Sequence, residues 1–299
     1  MERGERFSSA SRIIRVGFWL NALLMVIKLT AGYLGHSEAV IADGMESAAD
    51  FVVLGATLVA LRISRQSSDA SHPYGHGKAE SIAALLVAFV IALTGAGILY
   101  AAIHTFVTGD YQHPELIAVL AALVTVVTKE CLYRYTVTAG THLDSPALNA
   151  VARDHRKDAL TSIATVFGVG GAYAGLPFLD PLVAGLTACF ILHIGYLTFR
   201  HAAQDLMDAQ PPANVLGAIV ILSEEVAGVK HVHEIRGRRS GQFLIIDLKL
   251  EMDPHLTVKE SHTIATAVKK AIFEGFPSVG DVMIHINPHE EEHEDLIRL

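Results

Sequence analysis

Long apolar stretches separated by short polar links fill the first two thirds of the chain. Six of these stretches are long enough to cross the roughly 30 Å of hydrocarbon in a lipid bilayer. We place the predicted spans at 13–34, 38–62, 80–107, 115–136, 147–175 and 178–203. The pattern therefore predicts a membrane domain over residues 1–208, an all-α bundle of six transmembrane helices.

Basic residues are distributed unevenly over the links between these spans. The links 35–37, 108–114 and 175–178 contain no Lys or Arg. Positive charge is found at the opposite ends of the predicted helices, at Arg62, Arg65, Lys78, Arg134 and Arg200, and in the N-terminal segment. Because basic links tend to stay in the cytoplasm, both termini are predicted to be cytoplasmic.

Beyond Pro211 and Pro212 the pattern changes to that of a small folded domain. Amphipathic helices are predicted at 213–227 and 257–274, and alternating strands at 230–237, 242–252 and 281–286. The α-β-β-α-β order predicts an α+β cytoplasmic domain over 209–288. An acidic, His-containing tail follows at 289–299.

The overall composition agrees with a membrane protein. Hydrophobic residues make up 51% of the chain and charged residues only 18%, below the roughly 25% typical of soluble domains. The formal net charge of −8 argues against a nucleic-acid partner, because binding to phosphates requires positive charge.

Carboxylates inside the predicted helices are the most informative polar residues. Each costs about 2.5–3.5 kcal/mol at the centre of a membrane helix, so such residues are typical of functional sites. Glu46 and Asp50 form an i,i+4 pair in the second span, and Asp154 and Asp158 form another in the fifth. Two pairs that face each other would supply four oxygen ligands for one cation, with Asp43 one turn nearer the outer surface.

An ordinary structural role for these acids is the alternative. Arg153, Arg156 or Lys157 could neutralise Asp154 locally. Residues Lys129, Glu130 and Arg134 are likewise expected to pair with one another near the end of the fourth span. His155 points about 100° away from Asp154 on a helix, so we expect it behind the ligands or in solvent.

The six spans, the two carboxylate pairs and the segment His72–Glu80 together resemble the cation diffusion facilitator family. The resemblance covers nearly the whole chain and implies a homodimer with a ferredoxin-like cytoplasmic domain. It also implies proton-coupled export (antiport) of zinc, iron, manganese or similar ions, with Glu46, Asp50, Asp154 and Asp158 as the transport site. The metal would be substrate and regulator, and no prosthetic group is expected.

This chain departs from the zinc-type members of that family in two ways. Those members usually have His at the position of Asp154, and many have Asp in place of Glu46. Carboxylates in place of imidazole favour Mn²⁺ or Fe²⁺ over Zn²⁺. The pattern is most similar to manganese-type and magnetosome iron-type members, and a Zn²⁺ or Cd²⁺ exporter is the alternative.

Three further groups of residues gain a role from the resemblance. The loop residues Asp69, His72 and His76 would form a peripheral metal site, or else a polar turn. Lys78 and Asp208 would form a salt bridge between the two domains, or else be ordinary interfacial charges. Regulatory metal would bind in the cytoplasmic domain at His233, Asp247, His262 and His285, although Lys249 and Asn287 depart from the family pattern; surface histidines are the alternative there.

Two other classes of protein are alternatives. A metal-sensing membrane scaffold would keep the cytoplasmic ligands but move no ions. Residues 289–293 match the zinc-protease motif H-E-x-x-H, but they follow Pro288 near the end of the chain with no core around them, so enzyme activity is not expected. The predicted partners are a second copy of the chain, membrane lipid, divalent cations and protons, and the predicted location is a bacterial inner membrane.

Overall fold

A computed structural model of the chain describes residues 3–142 and 145–289. These residues form two compact units, one of Met1–Gly55 with Val87–Leu197 and one of Ala56–Leu86 with Thr198–Leu299. The long helices are α1 (Arg3–Leu34), α2 (Glu38–Ser64), α3 (Lys78–Thr108), α4 (Leu116–His142), α5 (Pro146–Tyr173) and α6 (Leu179–Leu206). The predicted boundary after residue 208 lies between α6 and the next helix, and it stays a prediction.

Five of these helices, α1, α2, α3, α4 and α6, are long and apolar enough to cross a membrane. The predicted count of six was therefore one higher than length and composition support within the described ranges. Helix α5 does form over 28 residues. Charged residues clustered between 153 and 158 lower its mean hydropathy and set it apart from the other five.

Local sequence explains how α5 begins and how it packs. Ser145 caps its N-terminus by accepting a hydrogen bond from the Leu148 amide, and Pro follows at the first helical position. A Cβ at Gly171 would lie 2.4 Å from Leu179 Cδ1, so the missing side chain permits the turn into α6 to pack closely. Gly175 lies beyond the helix with a φ of 104°, where it forms the turn.

The C-terminal part of the chain is an α+β domain, as predicted. It comprises α7 (Ala213–Glu224), β1 (His231–Ser240), β2 (Phe243–Met252), α8 (Val258–Gly275) and β3 (Val279–Pro288). The sheet order is β1-β2-β3, with β1 antiparallel and β3 parallel to the central strand. This arrangement is consistent with the ferredoxin-like expectation.

From Ile246 to Met252 the residues of β2 alternate between an apolar and a polar face of the sheet. Ile246, Leu248, Leu250 and Met252 are 0–1% exposed and belong to the core that includes residues of α7 and α8. Each buried side chain of this size contributes roughly 1.5–3 kcal/mol. The intervening residues of β2, beginning with Asp247, point to the opposite face.

Candidate metal centre

A cavity of about 310 Å³ lies within the first unit among α1, α2, α4 and α5. Its wall includes Asp50 from α2 and both Asp154 and Asp158 from α5. The i,i+4 spacing places the two α5 carboxylates on one side of that helix. Three of the four predicted transport-site carboxylates thus line one cavity, from two helices that are not neighbours in sequence. Within the described ranges their oxygens do not all lie within 4.8 Å of one another, so they form no metal-sized cluster, and their role as ligands stays a prediction.

Glu46 lies one helical turn from Asp50 and outside the wall of this cavity. Its side chain is buried, and neither carboxylate oxygen has a hydrogen-bond partner among the described residues. Asp43, Lys157 and, more weakly, Asp158 and Asp50 are close enough to Glu46 to act on it electrostatically. Because an ionised carboxylate is costly to bury unpaired, Glu46 requires either a proton or a nearby cation.

Lys129 of α4 also lies on the cavity wall and is 3% exposed. Its Nζ is 2.6 Å from Asp158 Oδ2. The expectation that Lys129 pairs within its own helix was therefore wrong, because the packing of α4 against α5 offers a carboxylate from the neighbouring helix. Glu130 does pair with Arg134, at 2.8 Å, and with Arg156 of α5.

His155 is buried on the wall of the same cavity. Of its two expected positions, the one in solvent was wrong because α1 covers this side of α5, and the one behind the ligands stays a prediction. A Cβ at Gly17 would lie 3.3 Å from His155 Nε2, so the glycine leaves room for the imidazole ring. Neither ring nitrogen has a hydrogen-bond partner within the described part of the chain.

Asp43 is paired with a base and lies outside the wall of the cavity. Its Oδ1 is 3.0 Å from Lys28 Nζ, and Ser162 Oγ donates to its Oδ2 at 3.1 Å. The same ammonium donates to Ser47 Oγ at 2.7 Å. Lys28 was not among the predicted site residues, although a lysine within an apolar span is itself a signal of a buried ion pair.

The loop between α2 and α3 holds a compact cluster of three candidate ligands. Asp69, His72 and His76 each place a ligand atom within 4.8 Å of the others, the only such group among the described residues. Asp69 Oδ1 also accepts hydrogen bonds from the amides of Ser71 and His72, at 2.8 and 2.7 Å. The hydrogen bond from the His72 amide lowers the pKa of Asp69. This cluster has the features of both predicted alternatives, a polar turn and a metal site.

Lys78 and Asp208 lie together in the second unit. The Lys78 ammonium is 2.6 Å from Asp208 Oδ1 and also donates to the Asp205 carbonyl at 2.6 Å. Arg238 lies 3.8 Å from the other oxygen of Asp208. The ion pair is formed, and its role in joining the two domains stays a prediction.

The four predicted regulatory ligands of the cytoplasmic domain are dispersed. Asp247 and His285 line one shallow pocket on the polar face of the sheet. His233 contacts Glu251, with Nδ1 and Oε1 3.1 Å apart, whereas His262 is exposed on α8. Within the described ranges these four residues form no metal-sized cluster, and their regulatory role stays a prediction.

The predicted tail begins directly after the end of β3. The His289 amide donates to the Met252 carbonyl at 2.7 Å, and its Nδ1 is 2.8 Å from Glu251 Oε2. The rest of the tail, 290–299, lies outside the described residues, so most of the H-E-x-x-H sequence does as well.

Apolar helices long enough to span a bilayer, with a carboxylate-lined cavity among them, define an integral membrane protein of the cation-handling class. The family described as "Cation efflux transmembrane domain" matches residues 14–207, and "Cation efflux protein, cytoplasmic domain" matches residues 211–289. The chain belongs to the cation efflux, or cation diffusion facilitator, family. Members of this family are divalent metal cation transporters rather than enzymes.

Curated relatives align over nearly the whole chain. The "Manganese efflux system protein MneP" of Bacillus subtilis (strain 168) is 34% identical over 295 residues, which cover 96% of this chain and 99% of that protein. The "Magnetosome protein MamB" of Magnetospirillum gryphiswaldense is 30% identical over 271 residues, 91% of each chain. The "Metal tolerance protein C1" of Arabidopsis thaliana is 36% identical over 292 residues, 93% of this chain and 62% of that protein. A solved structure titled "MamM CTD - Copper form" is 29% identical and covers 26% of this chain and 76% of its own, with a TM-score of 0.26.

Proposed function

We propose that this protein exports Mn²⁺ or Fe²⁺ across a membrane in exchange for protons. The observation that carries the proposal is the cavity shared by Asp50, Asp154 and Asp158. Carboxylate oxygens are hard ligands that suit Mn²⁺ better than the softer metals. The similarity to a protein named for manganese efflux, at 34% identity over nearly the full length, supports the same metal.

Proton exchange follows from the concentration of negative charge. Three carboxylates line the cavity and Glu46 is buried nearby, whereas Lys129 is the one lysine on the described lining, so the four acids cannot all stay ionised in a low dielectric when no metal is bound. The metal binds when these groups are deprotonated, and protons replace it when it leaves. Rocking of one group of helices against another would expose the cavity to each side of the membrane in turn.

A Zn²⁺ or Cd²⁺ exporter is the second candidate, and His155 is the observation that favours it. Its unpartnered imidazole on the cavity wall could supply a nitrogen ligand. Imidazole is a common ligand of Zn²⁺, whereas sites built only of oxygen are typical of Mn²⁺. If His155 binds the metal, His155→Ala should reduce Zn²⁺ transport more than Mn²⁺ transport.

The proposal includes α5 as a sixth span, so both termini would lie on the same side of the membrane, and the distribution of basic links favours the cytoplasmic side. A helix of 28 residues is about 42 Å long, enough to cross a bilayer. Two of its charged residues, Asp154 and Asp158, line the cavity instead of facing lipid. We further propose that the protein forms a homodimer through its cytoplasmic domain. Its proposed location is a bacterial inner membrane. The loop cluster at Asp69 and the cytoplasmic histidines would then bind regulatory metal.

Flux through proteoliposomes tests this function. The full chain is reconstituted, a pH gradient is imposed, and uptake of Mn²⁺, Fe²⁺ and Zn²⁺ is measured. We expect uptake of Mn²⁺ or Fe²⁺ that depends on the gradient and is abolished by Asp50→Asn and Asp158→Asn. Asp110→Asn, the same change in the link between α3 and α4, should leave uptake unchanged. A wild-type protein that binds metal without any flux would instead be a sensing scaffold.

A further inference from the structure

A buried cationic side chain of the protein lines the cavity that is proposed to hold the transported metal. Lys129 is 3% exposed and lines the same cavity as Asp50 and Asp154. Its ammonium is 2.6 Å from Asp158 Oδ2. The neighbouring Glu130 pairs with Arg134 and Arg156 instead of with Lys129. The described partner of the Lys129 ammonium is therefore Asp158, a predicted metal ligand.

We propose that Lys129 is a tethered cation that competes with the transported metal for Asp158. This inference rests on the proposed function. A lysine ammonium is a compact point charge on a flexible four-carbon stem, so it can leave the carboxylate and return to it. When the metal binds Asp158, repulsion between the two cations displaces the ammonium. When the metal leaves, the ammonium returns and Asp158 is not left unpaired.

The tethered charge would also make the site selective. A monovalent ion that replaces Lys129 at Asp158 exchanges one positive charge for another and gains little. A divalent ion brings twice the charge to the same oxygens and gains from Asp50 and Asp154 as well. Lys129 would therefore weaken the binding of every cation but exclude monovalent ions most strongly, and it would speed release of the metal.

Lys157 provides a matched control for this role. It lies on α5 close enough to act electrostatically on both Asp50 and Glu46. Its ammonium is 5.6 Å from the centre of the Phe190 ring, outside the wall of the cavity. If charge near the site were all that mattered, removing Lys157 would affect metal binding about as strongly as removing Lys129.

Equilibrium binding of Mn²⁺ to the purified full chain, measured by competition with a fluorescent chelator, tests the inference. Lys129→Gln should raise the affinity at least about tenfold, whereas Lys157→Gln should change it less than about threefold. Lys129→Arg keeps a permanent charge that can hold Asp158 through two hydrogen bonds, so its affinity should equal or fall below that of the wild type. In Lys129→Ala, added ethylammonium should weaken Mn²⁺ binding by taking the place of the missing side chain, and it should have no such effect on the wild type.

Separate results would overturn the inference and the proposed function. An affinity unchanged in Lys129→Gln, together with binding lost in Asp158→Asn, would refute the tethered cation and leave the transport site intact. Mn²⁺ binding unchanged in Asp158→Asn would refute the site itself. If Lys129→Gln does not fold, Lys129→Arg decides, because a higher Mn²⁺ affinity in that variant contradicts competition by the side chain.

Discussion

The ion pair between Lys28 and Asp43 gives a prediction that separates a structural carboxylate from the proposed metal ligands. Both side chains are almost fully buried, at 1% and 4% exposure, and their charged atoms are 3.0 Å apart. Each single replacement, Lys28→Met or Asp43→Asn, leaves the other member of the pair without its buried counter-ion. We expect each to destabilise the protein by about 3–5 kcal/mol.

The double variant Lys28→Met with Asp43→Asn should be far less damaging than the sum of its parts. At 3.0 Å and an effective dielectric constant of 20, the attraction within the pair is about 5–6 kcal/mol. Removing both charges also removes their desolvation penalties, which are several kcal/mol for each ion. These quantities nearly cancel, so the double variant should lose no more than about 2 kcal/mol.

Thermal unfolding of the full chain in detergent gives the stability, and Mn²⁺ titration of the same samples gives the affinity. Because Asp43 is held by Lys28 and Ser162, the double variant should bind Mn²⁺ within about threefold of the wild type. Two results would refute this reasoning. One is strict additivity of the two single losses in stability, and the other is loss of Mn²⁺ binding in a double variant that remains folded.

Two further predictions concern the second unit. A Cβ at Gly77 would lie 2.5 Å from the backbone carbonyl carbon of Ser240, so Gly77→Ala should cost about 1–3 kcal/mol in unfolding measurements. As a control, a Cβ at Gly97 in α3 meets open space, so Gly97→Ala should cost nothing. The hydrogen bond from His289 lowers the pKa of Glu251. Ionised Glu251 therefore stabilises the folded protein fully above the ordinary glutamate pKa of 4.5. This stabilisation is lost as the pH falls through the lowered pKa of Glu251. Pulse proteolysis of the full chain in urea should show that the wild type loses stability on acidification and that Glu251→Gln loses less. Equal losses in the two proteins would contradict the role of Glu251.

Much of the architecture could be predicted because it depends on local periodicity. The second helix was predicted at 38–62 and extends over Glu38–Ser64. The order of helices and strands in the cytoplasmic domain was predicted from helical and alternating periodicity. Thr257 and Glu260 form the capping box that starts α8. The spacing of Asp154 and Asp158 was sufficient to place both on one side of α5.

Contacts between helices could not be predicted in the same way. Spacing rules say which residues share a face of one helix, but the neighbour of that face depends on how helices pack. Lys129 was expected to pair within α4 and instead reaches Asp158 across the interface. His155 was placed behind the ligands or in solvent because the position of α1 was unknown, and the same ignorance concealed the pairing of Lys28 with Asp43.

Anomalous X-ray diffraction at the manganese edge, from crystals of the full chain grown with Mn²⁺, tests the transport site most directly. We predict an anomalous peak in the cavity between Asp50 of α2 and the two carboxylates Asp154 and Asp158 of α5. Peaks confined to the loop cluster of Asp69, His72 and His76, with none among the three cavity carboxylates, would contradict the proposed route of the metal.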